Sequence, residues 1–199
     1  MRTVTVSGHG RAQAAPDAAA VRVAAVHRAA GVADALAGAD SAAREVLATG
    51  REHTSPDRIG STSVQVWPAH DEQGVPAGFE ARHSLTLHSA DITAAGALLA
   101  ELAESVGDRL QIEGVSLEVT DRTSAETVAR EAAYRDAVER GHHLARLAGA
   151  ELGEPQQVVE GGVVPIGVPG EAKHLTADVA LEPGEMSVTS AVTVTFQLR

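Results

Sequence analysis

The sequence predicts an α+β fold, namely a mostly antiparallel sheet with helices packed on one side, in the order ββαββαβαββ. Segments with the two-residue alternation of β-strands occur at both ends of the chain and in its middle. Ala- and Leu-rich segments with helical spacing separate them, without the strict βαβ alternation of a doubly wound parallel sheet. A chain of 199 residues is long enough to bury a core of its own. We therefore expect a single domain over residues 1–199.

The first two strands are predicted at Thr3–Ser7 and Val21–His27, with the turn-forming pair Pro16-Asp17 between them. Their order predicts a long hairpin. Gly8 and Gly10 indicate either a bulge or a close backbone approach in its first arm.

An Ala- and Leu-rich helix is predicted from about Val32 to Arg51, followed by a second hairpin. The second arm of that hairpin is half buried, because Phe79 and Leu87 share a face while polar residues occupy the other. Asp91 is the predicted N-cap of the next helix, and a strand follows from Ile112 to Thr120.

The longest helix is predicted from about Ser124 to Ala148, with a capping box formed by Thr123 and Glu126. Small residues recur at every fourth position and make one side of the helix nearly smooth: Ala129, Ala133, Ala137, Gly141, Ala145 and Gly149. The preferred interpretation is close packing on the sheet, and a ligand surface is the alternative.

The final strand is predicted over residues 186–198, with Phe196 buried among its same-face neighbours. Before it, residues 161–184 form a predicted long loop rich in glycine and proline, which nevertheless carries several valines. Two interpretations stay open for this loop: it packs on its own domain, or it packs on a neighbouring subunit.

Charge and composition exclude several classes of partner. The formal net charge is −11, from 16 basic and 27 acidic residues. Nucleic-acid phosphates and anionic membranes require the opposite charge. No stretch approaches the roughly 18 apolar residues of a membrane-spanning helix, and residues 1–20 lack the apolar run of a signal peptide. With no cysteine in the chain, these features predict a cytoplasmic protein without membrane insertion.

Histidine is the residue type that comes nearest to suggesting a metal site, with nine copies. His142 and His143 are adjacent on the long helix, and His83 and His88 lie on opposite faces of one strand. Neither pair offers ligands on one face. The remaining pair, His9 and His27, would meet across the first hairpin. We interpret these two as ordinary strand histidines, and expect the purified protein to hold no stoichiometric transition metal.

Motifs for catalysis or cofactor binding are also missing. No serine lies in a G-x-S-x-G elbow, and Gly8-His9-Gly10 lacks the third glycine of a phosphate-binding loop. The acidic pairs Asp71-Glu72 and Glu101/Glu104 are interpreted as solvated surface charge. We therefore predict no catalytic, cofactor-binding or metal site, and expect that the protein is not an enzyme.

Taken in order, four segments resemble the bacterial SIMPL-domain family. They are the opening VTVSGHGRAQAAPDAAAVRVAA, the Ala-rich helix before the strand that ends near Trp67-Pro68, the small-residue helix running into LAGAELGEP and VVEGG, and the ending PGEMSVTSAVTVTFQL. The resemblance covers essentially the whole chain, so residues 1–199 are interpreted as one SIMPL-like domain. Two departures are the missing leader and Gly141, where the helix repeat predicts alanine.

The resemblance implies an α+β fold, no known enzymatic activity and no family catalytic residues to carry over. Family members are often exported to the cell envelope, some assemble into large homo-oligomers, and some are linked to stress responses. The leading hypothesis is therefore a non-catalytic, self-associating protein with a role in stress. The alternatives are a module that binds a small molecule or a protein between the helices and residues 161–184, and a histidine-based metal enzyme. The sequence identifies no ligand, protein partner, pathway or oligomer number.

Overall fold

The computed structural model describes residues 2–161, the backbone of 164–166, and residues 184–199, which form eight strands and three α-helices. The elements are β1 (Thr3–Ala14), β2 (Ala18–Ala29), α1 (Val32–His53), β3 (Ile59–His70), β4 (Pro76–Ser89), α2 (Ile92–Val106), β5 (Leu110–Glu118), α3 (Thr123–Leu147), β6 (Leu152–Glu160), β7 (Val164–Ile166) and β8 (Met186–Leu198). The predicted α+β class is confirmed. The strands form two antiparallel sheets rather than the single predicted sheet.

The described residues divide into two compact units. Unit 1 contains residues 2–16, 121–161, 164–166 and 184–199, and unit 2 contains residues 17–120. The single domain expected over residues 1–199 stays a prediction.

Unit 2 is built on a sheet with the strand order β3-β4-β2-β5. The predicted second hairpin is confirmed, since β3 pairs with β4 along its length. One face of the sheet packs against α1 and α2 through small and branched side chains. The central buried residues are Ala19, Val21, Val23, Ala25, Ala42, Ala43, Val46, Leu85, Leu87, Ala95, Leu98, Leu99, Leu102 and Val106.

The predicted N-cap of α2 is confirmed. Asp91 has an extended backbone, and its side chain accepts hydrogen bonds from the amides of Thr93 and Ala94. Two amide groups that the first helical turn leaves without partners are thereby satisfied.

Unit 1 is built on a sheet with the order β1-β8-β6, and the short β7 pairs with β8. β1 pairs with β8 from Thr3↔Gln197 to Ala14↔Met186, whereas β2 pairs with β4 and β5. The predicted first hairpin is therefore wrong. The reason lies at Asp17, whose amide donates to the Glu118 carbonyl and whose Oδ1 accepts from the Thr120 amide. These bonds fix the start of β2 beside the end of β5 instead of closing a turn back to β1.

The close backbone approach predicted at Gly8 and Gly10 is confirmed, and the alternative of a bulge is wrong because the β1–β8 register is continuous. A Cβ atom at Gly8 would lie 2.1 Å from the Ala133 carbonyl oxygen, and one at Gly10 would lie 1.9 Å from that of Ala129. Helix α3 therefore rests directly on the backbone of β1. Its predicted smooth side faces the sheet: Ala129, Ala133, Ala137, Gly141 and Ala145 are buried, and so is Ala125. The last predicted member, Gly149, is instead exposed and lies beyond the end of the helix.

The predicted capping box of α3 is wrong, because the N-cap is Arg122 and the helix begins at Thr123. Asp121 Oδ1 accepts the hydrogen bond of the Thr123 amide at 2.9 Å. Hydrogen bonds from the Thr123 hydroxyl and amide also lower the pKa of Asp121.

Residues 161–184 are predicted to form one long loop. This prediction is wrong for Val164–Ile166, which form β7 and pair with Ser187–Thr189 of β8. The two interpretations proposed for the loop fall on residues 162–163 and 167–183, which lie outside the described residues.

Candidate functional site

The hairpin predicted to bring His9 and His27 together does not form, since His9 lies in β1 of unit 1 and His27 in β2 of unit 2. His27 instead packs on α1, where a Cβ atom added to Gly38 would lie 2.1 Å from its ring. His142 and His143 are both exposed on α3. Among the residues that the structure describes, no group of three or more His, Asp or Glu side chains is placed to hold a metal ion.

His83 and His88 lie on opposite faces of β4, as predicted. His83 Nε2 is 2.8 Å from Ser61 Oγ, and His88 Nδ1 is 3.1 Å from Glu118 Oε2. Both rings are thus used in cross-strand hydrogen bonds, which is a structural role.

The acidic pairs also have local partners. Asp71 Oδ1 accepts hydrogen bonds from the Gln73 and Val75 amides and so shapes the turn between β3 and β4. Glu101 lies 2.6 Å from His53 Nε2. The interpretation of these residues as solvated surface charge is therefore incomplete, since Asp71 and Glu101 each stabilise a local contact.

A polar cluster crosses β2 on the face of the unit 2 sheet opposite its helices. Arg82 of β4 donates to Glu113 Oε1 at 2.6 Å and to Gln111 Oε1 at 2.7 Å. These bonds reach over Ala24, whose small side chain leaves room for them. The hydrogen bond from Arg82 lowers the pKa of Glu113, so the pair remains ionised at neutral pH. The arrangement is an ion pair that ties two strands together.

Unit 1 contains a largely apolar groove between α3 and β6, with a volume of about 470 Å³. We call it the β6 groove. Its floor is formed by Tyr134, Val158 and Val192. Val192 is buried, whereas Tyr134 is 37% exposed and Val158 is 53% exposed. The floor is uncovered because α3 packs mainly on β1 and β8 and makes few contacts with β6.

Charged side chains form the rim of the β6 groove. Arg130 Nε donates to Glu160 Oε1 at 2.5 Å, a contact that joins α3 to β6 and raises the pKa of Arg130. Glu131 and Arg135 lie on the same rim. The groove therefore combines an apolar floor with paired charges. It suits an apolar group flanked by polar ones, and its described lining residues include no nucleophile paired with a base.

A second groove, the β1 groove, has a volume of about 620 Å³ and lies between β1 and α3. Thr5, Val6, Ser7 and His9 line it from the strand, and Asp136, Glu139, Arg140, His143 and Leu144 line it from the helix. The sequence prediction noted His9 and His143 but missed both grooves.

Asp136 accepts a hydrogen bond and forms an ion pair in the β1 groove. Its Oδ2 accepts the His9 amide at 2.8 Å and lies 2.9 Å from Arg140 Nε. The His9 hydrogen bond, and then that of Arg140, lower the pKa of Asp136 below its ordinary value of 3.8.

A pKa that is lower in the folded chain means that Asp136 stabilises the fold above pH 3.8, and that this contribution is lost as the pH falls through the folded-state pKa. We expect Asp136→Asn to lower the melting temperature at pH 7 and to lose less stability than wild type between about pH 5 and pH 2. Thermal unfolding across that range measures both effects. Asp40→Asn is the control, because Asp40 bonds only Arg44 of its own helix among the described ion pairs. Equal acid sensitivity of Asp136→Asn and wild type would contradict the assignment.

Among the described residues, no helix has both the length and the apolar character needed to cross a membrane. Comparison with curated proteins finds no match. A family model does match, over residues 4–196: SIMPL, described as "Protein of unknown function (DUF541)". The match includes both sheets, all three helices and the residues of both grooves. This chain therefore belongs to the SIMPL (DUF541) family.

Proposed function

We propose that the protein is a non-catalytic, self-associating protein, and that copies of the chain contact one another through the β6 groove and the edge of β6. The observation that carries the proposal is apolar surface exposed on an unpaired edge strand. β6 pairs with β8 on one side and has no strand on its other side among the described residues. Such an edge is a ready template for pairing with another chain.

Exposed valines on both faces of β6 support an association at this edge. Val158 is 53% exposed and faces the groove, while its neighbour Val159 is 49% exposed on the opposite face. A strand added beside β6 would cover part of both side chains. The uncovered Tyr134 in the groove floor offers a further apolar contact.

Composition supports the choice of partner and compartment. A net charge of −11 is unfavourable for binding nucleic acid. We propose a second copy of this chain as the partner because the exposed valines on β6 are apolar. The lack of cysteine favours the cytoplasm as the compartment. A role in stress responses is proposed from the family resemblance.

The test is the mass of the particle in solution. A lysine on an edge strand opposes pairing with another strand, so Val158→Lys should shift the particle toward monomer in light scattering across a concentration series. Val64→Lys is a matched control, because Val64 is 55% exposed on β3, an edge strand of the other sheet. We expect the control to keep the wild-type mass, and both variants to keep their circular dichroism.

A monomeric wild-type protein, or a Val158→Lys variant with unchanged mass, would contradict self-association through β6. The second candidate function would then take its place: binding of a small molecule in the β6 groove. The groove volume favours it, since about 470 Å³ lies within the roughly 300–1,000 Å³ typical of ligand sites. Native mass spectrometry of the purified monomer would show a bound compound that is released on denaturation.

A further inference from the structure

The edge of β1 that faces away from β8 is partly open. Residues of a strand direct their backbone groups alternately to the two sides. The Arg2 carbonyl accepts from the Leu198 amide, so the even-numbered residues of β1 bond to β8. The odd-numbered residues face outward, where the His9 amide donates to Asp136. The outward amides of Thr5 and Ser7 have no partner among the described residues.

Helix α3 turns this open edge into a groove. At His9 the Asp136 side chain closes the edge, whereas the β1 groove leaves the edge open at Thr5 and Ser7. An exposed strand edge beside a helix is a setting in which an extended peptide adds as a further strand, through main-chain hydrogen bonds. The volume of about 620 Å³ leaves room for a short extended segment.

The charges that line the β1 groove select the kind of peptide. Asp136 and Arg140 neutralise each other at 2.9 Å. Glu139 forms no ion pair among the described residues, so it leaves one uncompensated negative charge in the groove. Leu144, 41% exposed, adds an apolar surface on the helix side.

We propose that the β1 groove binds an extended, basic peptide segment of a partner protein, which adds to the sheet beside Thr5 and Ser7 and places a lysine or arginine against Glu139. The site lies on the opposite edge of the sheet from β6, so it is independent of the proposed self-association.

The probe is a fluorescein-labelled, acetylated Lys-Val-Lys-Val-Lys-Val-Lys peptide, titrated with the full-length protein and followed by fluorescence anisotropy. The matched peptide with glutamate in place of lysine tests the charge selection. A third peptide, methylated on every backbone nitrogen, cannot donate on either edge and tests for main-chain pairing.

Ser7→Pro is the decisive variant, with Ser7→Ala as its control. Proline at this position removes the outward amide but leaves the bonds to β8, and edge strands tolerate proline. Both variants lose the hydrogen bond between Ser7 Oγ and Thr193 Oγ1. We expect Ser7→Pro to bind the lysine peptide about tenfold more weakly than Ser7→Ala does, the effect of about one lost hydrogen bond and the added ring. Glu139→Gln should weaken binding of the lysine peptide without affecting the fold.

Three outcomes would overturn the proposal: no binding of the lysine peptide by wild type, equal binding of the lysine and glutamate peptides, or equal binding of the methylated and unmethylated peptides. Binding retained by a Ser7→Pro variant with wild-type circular dichroism would also overturn it. If Ser7→Pro fails to fold, the methylated peptide and Glu139→Gln decide the question on the native sheet. If the wild-type protein binds no peptide and Ser7→Pro changes the particle mass, the outer edge of β1 would instead be assigned to contact with a second copy of this chain.

Discussion

Phe196→Ala is expected to lower the free energy of unfolding by about 3–5 kcal/mol, the usual cost of truncating a buried phenylalanine. Phe196 is 2% exposed and lies in the central apolar cluster of unit 1 with Val192 and Val194. Its ring also fills the space above Gly141, where a Cβ atom would lie 3.3 Å from Phe196 Cδ2. Little else in the unit could fill the resulting cavity, because α3 faces the sheet with alanine and glycine.

Urea unfolding followed by circular dichroism measures this loss, which is a large share of the roughly 5–15 kcal/mol that stabilises a typical domain. Phe79→Ala is the control, because the other phenylalanine is only partly buried, at the margin of a small cluster in unit 2. We expect Phe79→Ala to lower the free energy of unfolding by clearly less than Phe196→Ala does. Wild-type stability of Phe196→Ala would show that β8 does not carry the core of unit 1.

Gly10→Ala is expected to be nearly as damaging, although it adds a single methyl group. The new Cβ atom would lie 1.9 Å from the Ala129 carbonyl oxygen and 2.4 Å from the Ala133 amide nitrogen. Because both contacts are backbone atoms, the whole helix would have to move. We expect a loss of about 3 kcal/mol, at the upper end of the usual range for overpacked sites.

Gly60→Ala is the matched control for Gly10→Ala. Gly60 also lies in a strand, and a Cβ atom there would meet nothing within 4 Å. We expect this change to stabilise the protein slightly, by up to about 1 kcal/mol, since alanine restricts the unfolded chain. Calorimetry compares the two variants, and hydrogen exchange in α3 locates the damage. Equal stability of Gly10→Ala and Gly60→Ala would rule out close packing of α3 on β1.

Local periodicity explains why most elements could be predicted. The alternation in β8 places Val188, Val192, Val194 and Phe196 on one face, and all four are buried. The small-residue repeat likewise identified the side of α3 that faces the sheet. Each of these patterns depends on residues close together in the sequence, so the chain itself displays them.

Strand partners and grooves could not be predicted, because they depend on distant residues. The alternation in β1 suits β2 and β8 equally well. The hairpin is excluded by the pairing of β2 with β4 and β5, whose start is fixed by the bonds of Asp17 to Glu118 and Thr120. The β6 groove exists because α3 packs over β1 and β8 and makes few contacts with β6. The two glycines at positions 8 and 10 were a signal for this placement, since they mark the strand that the helix approaches most closely.

The pairing of β1 with β8 also has a consequence for biosynthesis. Residues such as Thr5 and Thr195, which are hydrogen-bonded to each other, are separated by 190 positions. A ribosome makes about 5–20 residues per second, and domains near the N-terminus generally fold first. Residues 17–120 form a continuous unit that can fold as soon as it emerges, whereas β1 must wait for β8 to be made. During this interval of about ten seconds or more, the nascent chain carries an unpaired strand, the kind of segment that chaperones protect.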